Sequence, residues 1–316
     1  MITVIRPGSF TTVQDQGRWG FQTWGLPVSG AMDPVASRVA NILAGNKPQA
    51  ALLEMTDEGG VFHFDYSVQA ALAGAEMQAK LNGRALANWS SFIVPPGGVL
   101  SLGEAVNGRR AYLALRGGVE APLVMGSRST YVAAGLGGLE GRALLPGDML
   151  EVGAEQAQFR QTKELSASWR PKYGRKWYLR VVLGPQEDWF SEADRLLFFK
   201  SLYQVGQVAD RMTCELTGPA LTLPERELVS DATGWGAIEV PACGLPFIVM
   251  PDHGTTRGFA KLGYVIQADF YKLAQASQGD QLSFEAMDAE TAADLDRLQV
   301  ADFNALEESF DERQTF

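Results

Sequence analysis

The chain has 316 residues, 46% of them hydrophobic, and a formal net charge of −10. That length supplies a large core and favours two domains over one, while an acidic balance without any basic run argues against nucleic acid as a partner. The first eight residues lack a basic and then apolar leader pattern, and no apolar run approaches the roughly 20 residues that span a bilayer, so a cytoplasmic protein with no membrane segment is expected. Cys214 and Cys243 stand outside any C-x-x-C pattern, which favours reduced thiols, no metal site, and Cys243 as a small buried side chain.

In chain order, Thr3–Ile5 and Thr11–Val13 read as short strands around a Pro7-Gly8 turn. Gln14-Asp15-Gln16-Gly17-Arg18 then places a carboxylate and a guanidinium beside a glycine, either as a surface turn or as the rim of a site. Asp33 to Gly45 predicts a helix: Asp33 caps it, Pro34 fits its first turn, Val35, Val39, Ile42 and Leu43 share a face, and Gly45 suits a left-handed end. From Val61 to Val152 short apolar runs alternate with Gly, Pro and Asn, the pattern of a sandwich or barrel and not of a doubly wound fold.

Gly126-Ser127-Arg128-Ser129-Thr130 gathers three hydroxyls and a guanidinium behind a glycine, and Arg142 follows a second glycine-rich segment. Such a stretch suits an anion, or else forms two turns between strands. It matches neither nucleotide fingerprint, because Glu140 stands where the third glycine of G-x-G-x-x-G would fall and no G-x-x-x-x-G-K-[ST] occurs. Residues 154–176 lose the strand pattern and mark a domain boundary. Beyond it, Leu179–Leu183 reads as a strand, and Ser191 with Asp194 caps a helix carrying Leu196, Leu197 and Phe198. Phe247–Met250 then runs into Asp252, His253, Thr255, Thr256 and Arg257, with Lys261 close behind, a loop able to hold catalytic groups on a rigid strand. Asp210-Arg211 is either an inward ion pair or a pair of site groups. A turn and an alternating strand at Gly147–Val152 recur at Gly279–Phe284, which suggests two similar β domains.

Several blocks taken in order carry a resemblance: Thr11–Asp15 with Gly17-Arg18, Ser29–Pro34, Ala40–Leu43, Leu81–Gly83, Gly126–Thr130, Gly137–Arg142, Leu183–Gln186, Asp210–Met212, Gly236–Ile238 and Lys272–Gln275. The chain resembles the family of KipA and the C subunit of 5-oxoprolinase (PxpC), also called allophanate hydrolase subunit 2 or biotin-dependent carboxyltransferase-like, over about residues 1–285. The resemblance implies a mainly β fold of two cyclophilin-like β-barrel domains with a few short helices, at residues 1–160 and 177–286; the acid-rich residues 287–316 beyond it read as a C-terminal helix or tail. It implies ATP-dependent opening of 5-oxo-L-proline to L-glutamate, together with a KipI-like subunit and a LamB/YcsF-like subunit, the chain being inactive without them.

Under that resemblance, Arg18, Ser127, Arg128, Ser129, Thr130, Arg142, Arg211, Thr255, Thr256 and Arg257 are candidates for holding phosphate or the substrate carboxylate. Asp15, Asp252, His253 and Lys261 are the catalytic candidates, with Asp15 or Asp252 able to orient water or magnesium beside ATP. Two other readings stay open: a KipA-like regulator that sequesters a KipI-like partner, and a carboxyltransferase whose biotin arrives on another chain. The chain departs from the family at residues 252–260, where relatives usually carry Asp-Arg-Gln-Thr-Thr-Gly-Gly-Tyr-Pro, and at Glu239, where Gln is usual. Leu295, Leu298, Phe303, Leu306 and Phe310 are spaced for a helix packed on the second barrel, or for an arm that docks a partner.

Overall fold

The structure, a computed structural model, describes residues 1–153, 161–223, 226 and 228–312. Residues 154–160, within the stretch read as a boundary, and the last four residues of the tail lie outside it. The fold is mainly β, and the chain divides into two compact units: Met1–Trp19 with Ser29–Tyr173, and Gly20–Val28 with Gly174 onward.

The first unit has two antiparallel sheets. One has seven strands in the order Val119–Glu120, Met149–Val152, Ile2–Arg6, Val61–Phe64, Gly98–Ser101, Lys80–Leu81 and Arg84–Ala85. The other orders five, Phe10–Gln14, Leu52–Thr56, Asn107–Leu115, Val68–Glu76 and Ser90–Val94. Alternation along the strands turns Ile2, Val4, Phe62 and Phe64 of the first sheet and Val13, Leu53, Met55 and Leu113 of the second into one buried core. Helix α1 (Pro34–Ala44) lies on the five-stranded sheet. Its boundaries follow from local chemistry: the Asp33 carboxylate accepts the Ala36 N–H at 2.8 Å, and Gly45 at φ 75° donates its N–H to the carbonyls of Asn41 and Ile42.

The second unit closes. Strands Lys176–Leu183, Ala260–Val265, Ala237–Val240, Phe247–Val249, Thr213–Thr217, Tyr203–Ala209 and Gln281–Ala286 form a barrel in that order. The last strand seals against the first in parallel register, Trp177 opposite Leu282. Helix α2 (Glu192–Lys200) is capped by Ser191 and buries Phe198, whose ring stacks on Phe284 at 4.5 Å. Leu196 and Leu197, the other apolar residues that it carries, are exposed. Helix α3 (Phe270–Gln275) and helix α4 (Ala289–Glu312) meet the Gln267–Asp269 turn. Asp269 is fully buried there, and Arg180 at 2.6 Å and Lys272 at 2.7 Å close on it. Burial alone would raise its carboxyl pKa, but donors from Arg180 and Lys272 outweigh that and hold it below the ordinary range.

The acidic tail is therefore a helix whose first turns pack on the second unit, although Leu298, expected on its packed side, is exposed. Ala292 packs with Ile266 and Ala268, Asp296 accepts the Ala268 N–H at 2.8 Å, and Phe303, Leu306 and Phe310 are buried. Cys243 differs from expectation: it is exposed, in the turn closed by the Gly244 N–H on the Pro241 carbonyl, while Cys214 is the buried thiol. Among the described residues, no helix is long and apolar enough to cross a membrane.

Candidate functional site

Chemistry-bearing side chains gather in two places, one in each unit. In the first, the strand Phe10–Gln14 delivers Asp15 to the segment 124–130. Oδ1 of Asp15 accepts from the Ser127 hydroxyl at 2.7 Å, the Ser129 hydroxyl at 2.5 Å and the Gly17 N–H at 2.8 Å, and Oδ2 accepts from the Arg128 N–H at 2.6 Å. The Met125-Gly126 turn, both residues at positive φ, brings Ser127 back to Val124 through paired backbone hydrogen bonds. Arg18, only 1% exposed, donates to the carbonyls of Val124 and Ser129. Gly137 and Gly138 pass so close that a Cβ would stand 2.1 Å from the Ser129 carbonyl and 1.9 Å from the Thr130 hydroxyl.

This geometry corrects the expectation of a hydroxyl cradle for anions. Ser127, Ser129 and Thr130 are all 0% exposed, and their oxygens serve Asp15 and the Val13 carbonyl. Arg18 likewise faces carbonyl oxygens within the unit. Of the Gly-Ser-Arg-Ser-Thr block, the Arg128 guanidinium is the cation turned outward, paired at 2.9 Å with the half-exposed Glu120. A pair so solvated contributes at most about 1 kcal/mol. Arg142 lies apart from it, held by Asp148 at 2.7 Å and by Glu140 at 2.7 Å. Those hydrogen bonds raise the guanidinium pKa and hold the Asp148 carboxyl below the usual range.

In the second unit, Arg211 and Asp252, each side chain 7% exposed, form a forked pair with Nε to Oδ2 at 2.7 Å and Nη2 to Oδ1 at 3.0 Å. Asp210 is not Arg211's partner; its carboxylate accepts the Met212 and Thr213 N–H groups of its own turn. His253 is 2% exposed and donates Nδ1–H to the Gly254 carbonyl at 2.7 Å, which leaves Nε2 as an acceptor. Thr256 and Arg257 form a two-rung ribbon with Ala232 and Asp231, and the Thr255 carbonyl accepts the Thr233 N–H.

Beneath that ribbon lie Glu239 and Lys261, opposite each other on neighbouring barrel strands at a β-bulge, and both 0% exposed. Thr233 donates its hydroxyl to Glu239 Oε1 at 2.6 Å, while Oε2, buried and without a hydrogen bond, stands 4.0 Å from Arg257 Nε. Lys261 Nζ reaches Asp231 at 3.5 Å, and the Lys261 N–H reaches the Gln186 side chain at 3.2 Å. The pairing of Glu239 with Lys261, and the parts of Asp231, Thr233 and Gln186, are not legible in the sequence; they depend on the strand Ala260–Val265 and its register.

Two buried titrating groups of this region, His253 and Glu239, carry opposite signs. Burial lowers the His253 pKa, so the unfolded chain takes up the proton first as pH falls below about 6.5. The stability His253 contributes is present at neutral pH and disappears as pH falls through its folded pKa. Burial raises the Glu239 pKa, so its contribution is present below the unfolded value and is lost as pH rises through the folded one. We expect His253→Asn, which keeps a donor near the Gly254 carbonyl, to flatten the fall in melting temperature between pH 7 and pH 5. An unchanged slope would contradict the assignment.

Among the described residues no group of three His, Cys, Asp or Glu side chains could hold a metal. Asp15 and Asp252, the carboxylates suggested for magnesium, are engaged by four donors and by Arg211. They do not fit a resident magnesium site, and an ion accompanying a nucleotide would be carried by its phosphates and water.

Residues 24–286 match the family described as carboxyltransferase domain, subdomain A and B. The chain belongs to that family. It is 37% identical to the C subunit of 5-oxoprolinase from Escherichia coli (strain K12) over 92% of this chain and 93% of that protein. It is 30% identical to the C subunit of 5-oxoprolinase from Haemophilus influenzae over 94% of each. The solved structure of K. lactis urea amidolyase superposes with a TM-score of 0.91 at 28% identity, over 96% of this chain and 20% of that one. In this carboxyltransferase-domain chain, Asp15, Gly17 and Arg18 precede the matched segment, while both buried second-unit pairs fall inside it.

Proposed function

We propose that the chain is a subunit of an ATP-dependent 5-oxoprolinase that opens 5-oxo-L-proline to L-glutamate. The observation that carries this is the 37% identity to the E. coli 5-oxoprolinase protein, which extends over nine-tenths of both chains. A lactam carbonyl is a poor electrophile. Phosphoryl transfer from ATP to its oxygen, with ADP leaving, opens the ring carbon to water; the ring C–N bond breaks, the nitrogen takes up a proton, and a second water releases phosphate from the resulting acyl phosphate to give the carboxylate. Negative charge gathers on oxygen throughout, which suits either the outward guanidinium of Arg128 in the first unit or the cations Lys261 and Arg257 beside Glu239 in the second. We take the partners to be a KipI-like and a LamB/YcsF-like subunit, with the chain inactive alone.

The test mixes the purified subunits with 5-oxoproline and ATP and measures glutamate, leaving out each chain in turn. Glutamate only when this chain is present supports the reading; equal yield without it rejects the reading. In the same assay, Arg128→Ala is expected to abolish turnover while changing stability by less than about 0.5 kcal/mol, as for an exposed ion pair. Near-normal turnover would remove Arg128 from the site.

A second reading rests on the TM-score of 0.91 to the urea amidolyase structure: a carboxyltransferase accepting biotin carried by another chain. The chain spans a fifth of that protein, against nine-tenths of the two 5-oxoprolinase relatives. Equal length on both sides therefore favours the first.

A further inference from the structure

Glu239 Oε2 is a fully buried carboxylate oxygen without a hydrogen bond, an arrangement that costs free energy unless something completes it. Its neighbours are cations that stop short. Arg257 Nε is 4.0 Å away, and Lys261 Nζ, itself 0% exposed, has as its polar contact the 3.5 Å approach to Asp231. The covering ribbon is tied to this pair chiefly by the 2.6 Å bond from Thr233 to Oε1. A buried acceptor and a buried donor thus stand opposite each other on neighbouring strands under two rungs of sheet, and a small ligand with the opposite pair of groups would satisfy both.

We infer that Glu239 and Lys261 recognise the N–H and C=O edge of a five-membered cyclic amide, Oε2 accepting the ring N–H and Nζ donating to the ring carbonyl. Resting on the 5-oxoprolinase reading, the ligand is the lactam of 5-oxoproline. In a small ring the amide is cis, so its N–H and C=O point the same way and one donor–acceptor pair meets both. The carboxylate of 5-oxoproline sits on the carbon next to nitrogen, and Arg257 stands next to Glu239, which matches the order of groups around the ring. Asp231, half-exposed, yields Lys261 to the carbonyl oxygen when the ligand enters. The ureido ring of biotin presents the same edge, so the experiment must separate the two.

The discriminating probe is the lactone analogue, in which oxygen replaces the ring N–H. Against Glu239 it sets two acceptors face to face, whereas a glutamine can turn its amide to donate. In the assembled complex we expect the lactone to inhibit at least about 100-fold more weakly than the lactam binds, since a site built around a hydrogen bond rejects a ligand lacking it. Glu239→Gln should compress that ratio at least about tenfold, and Lys261→Met should raise the KM for 5-oxoproline by a similar factor. Glu239→Gln removes a buried charge and keeps the shape, so its melting temperature should not fall, which guards against a folding artefact.

Turnover of 5-oxoproline with a lactam-to-lactone ratio unmoved by Glu239→Gln overturns the inference and leaves the functional reading standing. Failure to open 5-oxoproline, with free biotin bound in a Glu239-dependent way, overturns the functional reading and keeps the edge recognition. Binding of neither ligand overturns both.

Discussion

Asp15→Ala should lower the stability of the first unit by about 3–5 kcal/mol, because it removes a charged acceptor shared by several partly or fully buried donors. Four donors converge on this carboxylate, and two of them, the Ser127 and Ser129 hydroxyls, belong to fully buried residues. Asp15→Asn keeps the shape but presents an NH2 to at least one donor, so it should lose roughly half as much. The Arg128 amide provides a local readout. It donates to Asp15 Oδ2 at 2.6 Å, and its hydrogen exchange should accelerate sharply in both variants. Protection at the wild-type level in Asp15→Ala would mean that the segment holds its form without the carboxylate. An effect of this size would also show that an activity loss at Asp15 is structural in origin.

The second large effect belongs to the Arg211–Asp252 pair. Removing either partner takes the forked, oppositely charged contact away from a group that is only 7% exposed, and each single alanine variant should cost about 3–5 kcal/mol. Replacing both together, Arg211→Met with Asp252→Leu, removes two desolvation penalties as well as their attraction. The double variant should therefore be more stable than either single one, with a coupling of about 2 kcal/mol or more in a denaturation cycle. Additive losses would contradict a direct interaction. The pair also has a scaffold role: the Asp252 N–H donates to the Arg211 carbonyl at 2.7 Å, so the two turns are fastened by backbone and side chain at once.

What can be read from the sequence follows the range of the interactions. Helix α1 is legible at both ends, because Asp33, Pro34 and Gly45 act on atoms within four residues of themselves. The mainly β character shows in the short apolar runs, while barrel closure in the second unit depends on the parallel pairing of strands that begin at Lys176 and Gln281. The Gly-Ser-Arg-Ser-Thr block stands out by composition, but the direction of its hydroxyls is set by Asp15, 112 residues earlier for Ser127. No local pattern carries that. Glu239 is marked in the sequence only as a departure from its relatives; its role follows from a bulged register that sets it against Lys261. Cys243 departs from expectation because small apolar-flanked thiols are usually buried, whereas the Pro241–Gly244 turn holds this one outward.

The ratio of ADP to glutamate formed by the assembled complex is the most direct test of the proposed ring opening. With 5-oxoproline as substrate, we expect one glutamate for each ADP, no glutamate without ATP, and, at substrate concentrations below the KM, a parallel fall of about tenfold in both products when Lys261 is replaced by Met. Glutamate released without ATP, or ATP consumed at the wild-type rate with no ring opening, would contradict it.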